Sequence, residues 1–236
     1  MKKIILTFAT IFAFGVIGAQ EKFDYKPKKG TVSTEVGLTG GLNNANFNLN
    51  TGVLKFRYFL KDDLGLRIGF ANNSTKIEES DNTVPTNIET ITNKAGNFEI
   101  NLGIEKHFAG SDRLSTYAGA DLLIGFGNAS IEGSDQSGNS FSVDGGANYN
   151  NNTNSFDSRA SNGFGVRLLT GADYYIAKKL FLGVEAGLNI VSATLKEISI
   201  TNNFGSTSTT TVDTPERKGS GFSTNVIGGV RIGYQF

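Results

Sequence analysis

The chain has 236 residues, 38% hydrophobic and 19% charged, with 30 glycines, three prolines, no cysteine and no tryptophan. The lack of cysteine excludes a disulfide-stapled scaffold and CxxC-type zinc or redox sites. The balance of 22 basic and 22 acidic residues gives a formal charge of +0, without the basic excess of a nucleic-acid-binding chain. Past the first twenty positions there is no apolar run of about 18 residues, which excludes a bundle of membrane-spanning helices.

Met1-Lys2-Lys3 is a short positive start, followed by an apolar run from Ile4 to Ile17 and then Gly18-Ala19-Gln20. This order is that of a secretory signal peptide covering residues 1–19, cut after Ala19. The run is shorter than the ~20 residues of a spanning helix, and no cysteine follows the cut to carry a lipid. The mature chain loses Lys2 and Lys3 and becomes slightly acidic. Residues 20–30, with Lys22, Lys26, Pro27, Lys28 and Lys29, read as a polar leader outside the folded part, and 31–236 as one β domain.

Period-two alternation then predicts eight strands: Thr31 to Gly40, Gly52 to Leu60, Leu64 to Asn72, Asn97 to Phe108, Leu114 to Asn128, Asn162 to Ile176, Leu180 to Leu195 and Gly221 to Phe236. Most approach the nine to eleven residues, roughly, that a tilted strand needs to cross a bilayer. Lys61-Asp62-Asp63, Ala109 to Arg113 and Ala177-Lys178-Lys179 are tight turns. Between them fall longer segments, Asn43 to Asn50, Asn73 to Gly96, Ala129 to Ser161 and Lys196 to Ser220. Short and long connections alternate, as in an antiparallel meander with turns at one end and loops at the other.

Parity is the strongest signal. Even positions are apolar: Leu54, Phe56, Tyr58 and Leu60; Leu64, Leu66, Ile68 and Phe70; Phe98, Ile100, Leu102 and Ile104; Leu122, Ile124 and Phe126; Phe164, Val166 and Leu168; Leu182, Val184, Leu188 and Ile190. The first strand is short and mixed. Odd positions carry glycine, small residues and charge: Glu35, Lys55, Arg57, Arg67, Glu99, Glu105, Asp121, Arg167, Asp173, Glu185 and Arg231. A Lys or Arg facing lipid at the midplane costs about 2–4 kcal/mol. The whole set outward would cost about 20 kcal/mol or more, beyond the roughly 5–15 kcal/mol that holds a domain together. The charges are therefore expected inside, as an interior network of ion pairs, with glycines such as Gly65, Gly103, Gly183 and Gly233 leaving room for them. Phe47, Leu49 and Val53 are out of phase, which a β-bulge near Gly52 would reconcile.

Aromatic residues collect at the two ends of the strands. Tyr58, Phe108, Tyr174, Tyr234 and Phe236 lie by the short turns, and Phe70, Phe98, Phe126, Phe164 and Phe222 by the long loops, two girdles as at two membrane interfaces. A soluble lipocalin-like barrel would reverse the two faces. The last strand, with Val226, Val230, Ile232, Tyr234 and Phe236 on one face, runs to the final residue. In this it resembles the small bacterial outer-membrane β-barrel family, the porin-like, OmpX/OmpA-type barrels. The resemblance covers the whole mature chain. It implies an all-β, eight-stranded antiparallel up-and-down transmembrane β-barrel in the outer membrane of a Gram-negative bacterium. It also implies that Tyr234 and Phe236 form the signal read by the barrel-assembly machinery, and that periplasmic chaperones escort the unfolded chain.

Chemistry is sparse. His107 is the only histidine; it lies on the inward parity beside a short turn, where an interior hydrogen-bonding role is expected. There is no GxSxG, HExxH or CxxC, and no P-loop or dinucleotide fingerprint, so no cofactor, metal or catalytic residue is assigned. Asp135, Ser137 and Asn139 fail the full calcium-loop pattern and read as turn residues. The long loops, rich in Asn, Ser, Thr and Gly, read as mobile surface chain that buries no core, apart from a sheet extension allowed by the alternation from Thr194 to Thr201. They are the candidate site for an extracellular ligand, and outer-membrane lipid is the other expected partner. The function expected is that of an integral outer-membrane barrel with a side-chain-filled interior, structural or surface-interacting and not an enzyme. The alternatives are a small-solute porin and an outer-membrane lipid-modifying enzyme.

Overall fold

A computed structural model describes residues 25–37, 54–80, 88–108, 110–135, 137–150, 152–226 and 231–236. Among them are fourteen strands and no helix: β1 (Val32–Gly37), β2 (Leu54–Lys61), β3 (Leu64–Ser80), β4 (Ile88–Phe108), β5 (Leu114–Asp135), β6 (Ser140–Asp144), β7 (Gly146–Asn150), β8 (Ser155–Arg159), β9 (Ser161–Ala177), β10 (Leu180–Leu195), β11 (Ile198–Phe204), β12 (Thr207–Thr214), β13 (Arg217–Val226) and β14 (Arg231–Gln235). Every pairing is antiparallel. β1 pairs with β2, then β2 with β3, β3 with β4, β4 with β5, β5 with β9, β9 with β10, and β10 with β14. β14 in turn pairs with β1 through Ser33↔Gln235 to Gly37↔Arg231, so the path returns to its start. β13 continues alongside β10, from Ala186↔Val226 to Leu195↔Arg217.

The two faces of this path are opposite in character. Leu66, Leu102, Ile104, Leu168, Val184, Ile190 and Ile232 are each between 42% and 55% exposed, all at even positions. Odd-numbered Glu35, Arg57, Glu105, Asp121 and Asp173 are at most 2% exposed. A soluble protein buries the first set and exposes the second. Here the first strand also falls in phase, with Val32 and Val36 exposed and Ser33 and Glu35 buried.

The tight connections fall where polar residues interrupt the alternation: β2 ends at Lys61 and β3 begins at Leu64, β9 ends at Ala177 and β10 begins at Leu180. The long segments differ from the expectation. β3 runs on to Ser80 and β4 begins at Ile88, with unbroken register from Asn73↔Asn97 to Ser80↔Thr90. β5 continues to Asp135, and β6 and β11 extend the sheet beside it. The strand ladder is made by backbone N–H and C=O groups, so these mostly polar segments complete it without the hydrophobic alternation that betrays a strand in the sequence.

These segments also bury a core, against the expectation. Ala129, Ile131, Val143, Ala147, Ala160 and Ile198 cluster, with Ile91, Ala95, Phe141, Phe156 and Ile200 packed against them. The apolar residues come one or two at a time from β4, β5, β6, β7, β8 and β11, with Ala160 between β8 and β9, too sparse to register in any one segment. The leader is corrected as well, since Tyr25 to Gly30 dock on the turn end as described below. The signal peptide, the first-strand residues beyond Gly37, Gly52 and Val53, and the bulge argued from Phe47 and Leu49 lie outside the described residues.

Candidate functional site

Inside the ring of pairings, charge faces glycine across strand after strand. Glu35 stands opposite Gly233, Lys55 opposite Gly69, Arg67 and Asp121 opposite Gly103, and Asp173 and Arg231 opposite Gly183. The glycines are occupied space. A Cβ at Gly103 would meet Asp121 Oδ1 at 2.0 Å, and one at Gly183 would meet Asp173 Oδ1 at 2.6 Å.

Three arginines are each shared among carboxylates of several strands. Arg57 pairs with Glu35, with Asp173 at 2.6 Å and with Glu105 at 3.1 Å. Arg67 meets Glu105, Asp121 and Glu185, each at 2.9 Å. Arg231 pairs with Glu35, with Glu185 at 3.3 Å and with Asp173 at 3.4 Å, while Lys55 reaches Glu185 at 3.0 Å. The Tyr117 hydroxyl donates to Glu185 at 2.9 Å and accepts from Arg231. One cluster thus takes a charged or hydroxyl group from each of β1, β2, β3, β4, β5, β9, β10 and β14. Nine of the eleven sequence-predicted residues meet here. The other two stand toward the loop end: Arg167 lies 3.5 Å from both Glu99 and Asp121 and donates to Asn189 at 3.0 Å. A cavity of about 300 Å³ opens there, lined by Asn97, Glu99, Arg167 and Asn189 with Gly125 and Gly163.

Toward the turn end an aromatic layer closes the interior, and this layer was not identified from the sequence. Phe59, Tyr117, Tyr175 and Phe181 are each 1% exposed. The Arg57 guanidinium lies over the Tyr117 ring at 5.2 Å and over Phe181 at 5.3 Å. All four have odd numbers, so the parity that assigned the charges inward assigns them too. His107 sits between Phe59 and Tyr117. Its Nδ1 is 2.8 Å from Ser115 Oγ and its Nε2 is 2.9 Å from Glu105. Ser, His and Glu in a hydrogen-bonded row resemble a hydrolytic triad in composition. Ser115 is only 2% exposed, however, and a nucleophile needs room for a substrate beside it, so the row serves as interior hydrogen bonding.

Residues 25–30 lie across the turn end. The Arg113 guanidinium stacks over the Tyr25 ring at 4.4 Å and donates to its hydroxyl at 2.8 Å, and Gln235 Nε2 donates to the Tyr25 carbonyl at 2.7 Å. The Lys29 amide donates to Asp62 Oδ1 at 2.8 Å and the Gly30 amide to the Phe59 carbonyl at 2.8 Å. The strap therefore touches the β2–β3 turn, the β4–β5 turn and the end of β14.

At the loop end, Asp135 accepts from the Ser137 and Asn139 amides at 2.9 and 2.8 Å and from Asn139 Nδ2 at 2.8 Å. These bonds, the Asn139 side chain first, hold its carboxyl below the usual range. Asp135 spends both carboxylate oxygens on this turn and Asn139 Oδ1 accepts from the Gly205 amide at 3.2 Å, and no group of three or more acidic or histidine side chains that could hold a metal occurs among the described residues.

No curated protein matches the chain. Among solved structures, the attachment invasion locus protein Ail of Yersinia pestis aligns at 12% identity with a TM-score of 0.35, covering 88% of this chain and 99% of that one. A family model for OmpA-OmpF-like porins matches residues 41–205. That match spans well over half of the 236 residues, and the chain, an outer-membrane β-barrel protein, belongs to the OmpA-OmpF-like porin family.

Proposed function

We propose that β1, β2, β3, β4, β5, β9, β10 and the last strand, of which β13 and β14 are two described pieces, are the eight staves of a closed transmembrane barrel that does not conduct. On this reading the signal peptide is removed on export from the cytoplasm of a Gram-negative cell. Tyr234 and Phe236 carry the assembly signal, and the short turns face the periplasm. The even-numbered residues meet lipid, and the extended β3 to β6 and β11 rise outside the cell. The role is structural or surface-interacting, with the outer sheet as the contact surface and no catalysis.

The observation that carries this is the filling of the interior. Eight strands leave an interior about wide enough for side chains alone. Three shared arginines and Lys55, their carboxylates and the aromatic layer beneath them occupy it. The porin reading keeps one observation in its favour, the cavity of about 300 Å³ at the loop end. Single-channel recording in a planar bilayer separates the two. The proposal expects no steady openings; steady openings of porin size overturn it.

A further inference from the structure

The formal charge of +0 conceals a strong division along the strand axis. At the turn end, residues 25–31, 61–63, 106–113 and 177–179 hold eight basic side chains against three acidic ones. The segments 73–96, 129–161 and 196–220 at the other end hold six basic against eleven acidic. Lys28, Lys29, Lys61, Lys106, Lys178 and Lys179 are all exposed.

We propose that this turn end is a collar that binds anionic phospholipid headgroups in the leaflet it faces. The inference rests on the transmembrane reading above. Three placements favour lipid over a soluble periplasmic partner. Lys106 stands on the same outward face of β4 as Ile104 and Phe108, which are 44% and 52% exposed. Lys179 Nζ lies 5.9 Å from the ring of outward Tyr234, and Tyr234 packs edge-on against Phe236. Lys61 directly follows exposed Leu60. The ammonium groups are thus at the level of the aromatic girdle, where long basic side chains reach headgroups. Asp63 takes Lys106 as its partner and is held below its usual range by that bond, yet the excess of cations at this end remains. Each lysine near an anionic surface strengthens association about fivefold.

The test uses the full mature protein, folded into phosphatidylcholine vesicles with spin-labelled phosphatidylglycerol or phosphatidylcholine as the probe. The wild type is expected to prefer phosphatidylglycerol by about fivefold or more, falling as salt is raised. The turn-end variant Lys106→Gln/Lys178→Gln/Lys179→Gln loses most of that preference. A matched loop-end variant, Lys76→Gln/Lys94→Gln/Lys218→Gln, keeps it. No wild-type preference, survival of the preference in the turn-end variant, or equal loss in the loop-end variant each overturns the proposal. Heat-modifiable migration of the same samples in SDS gels reports insertion separately, so a failure of the barrel itself is told apart from a failure of the collar.

Discussion

Arg57 and Arg67 stand directly opposite each other across β2 and β3, and Glu105 of β4 holds both, with Oε1 at 3.1 Å from Arg57 and Oε2 at 2.9 Å from Arg67. Like charges in directly opposed positions repel. One carboxylate reaching from the next strand converts that repulsion into a three-strand clamp, and Glu105 is 0% exposed.

Glu105→Gln is therefore expected to destabilise strongly. It keeps the side chain's shape and removes the charge that both arginines share. Breaking a buried pair from one side costs about 3–5 kcal/mol. Glu99→Gln removes an acid whose side chain is 42% exposed and whose partner is 3.5 Å away, and exposed pairs contribute about 0–1 kcal/mol. Urea unfolding of the two variants in lipid vesicles, monitored by tyrosine fluorescence, checks the difference.

Gly103 and Gly125 both lie on inward-facing odd positions, in different surroundings. A Cβ at Gly103 meets Asp121 Oδ1 at 2.0 Å and the Ala120 carbonyl at 2.5 Å, whereas at Gly125 the nearest atom is 4.0 Å away. Gly103→Ala must displace both the network and the backbone, and overpacking of this kind costs about 1–3 kcal/mol. Gly125→Ala projects into the open cavity and is expected to leave the urea midpoint unchanged.

The adjacent pair Arg167 and Leu168 divides the two faces of β9. Arg167→Leu deletes a cation that two acids share at 3.5 Å, while Asp121 keeps Arg67 at 2.9 Å. Its expected loss is modest. Leu168→Arg places a charge where the side chain is 51% exposed on the apolar face, at a cost of about 2–4 kcal/mol near the midplane. The folded fraction on SDS gels should fall further for Leu168→Arg; equal yields contradict the assignment of faces.

The strands were legible where lipid and interior impose opposite demands on successive residues, as from Leu64 to Phe70 or Phe98 to Phe108. The turns were legible at Lys61-Asp62-Asp63 and Lys178-Lys179, where polar residues break the alternation. Beyond Asn72 and before Asn97 polar residues predominate on both faces of the ladder, and Ile77, Ile91 and Ala95 are too scattered to tell a strand from a loop. The apolar cluster around Ile131, Val143 and Ile198 was hidden because it forms only when three distant segments pair. Phe59, Tyr175 and Phe181 carry the inward parity, but residue type did not set them apart from the aromatic residues of the two girdles. The strap was not legible: Tyr25 is held by Arg113 and by Gln235, and its neighbours are lysines and a buried proline.

The central claim is that even-numbered residues face lipid and odd-numbered residues face a closed interior. The chain has no cysteine, so single cysteines at Phe164, Gly165, Val166, Arg167 and Leu168 can be spin-labelled without background. Relaxation by oxygen, which concentrates in lipid, and by a water-soluble nickel chelate then reports the surroundings of each label in vesicles. The predicted result is strong oxygen contact with weak nickel contact at positions 164, 166 and 168, and weak oxygen contact at 165 and 167. High nickel contact at the even positions, or no alternation at all, would contradict the account.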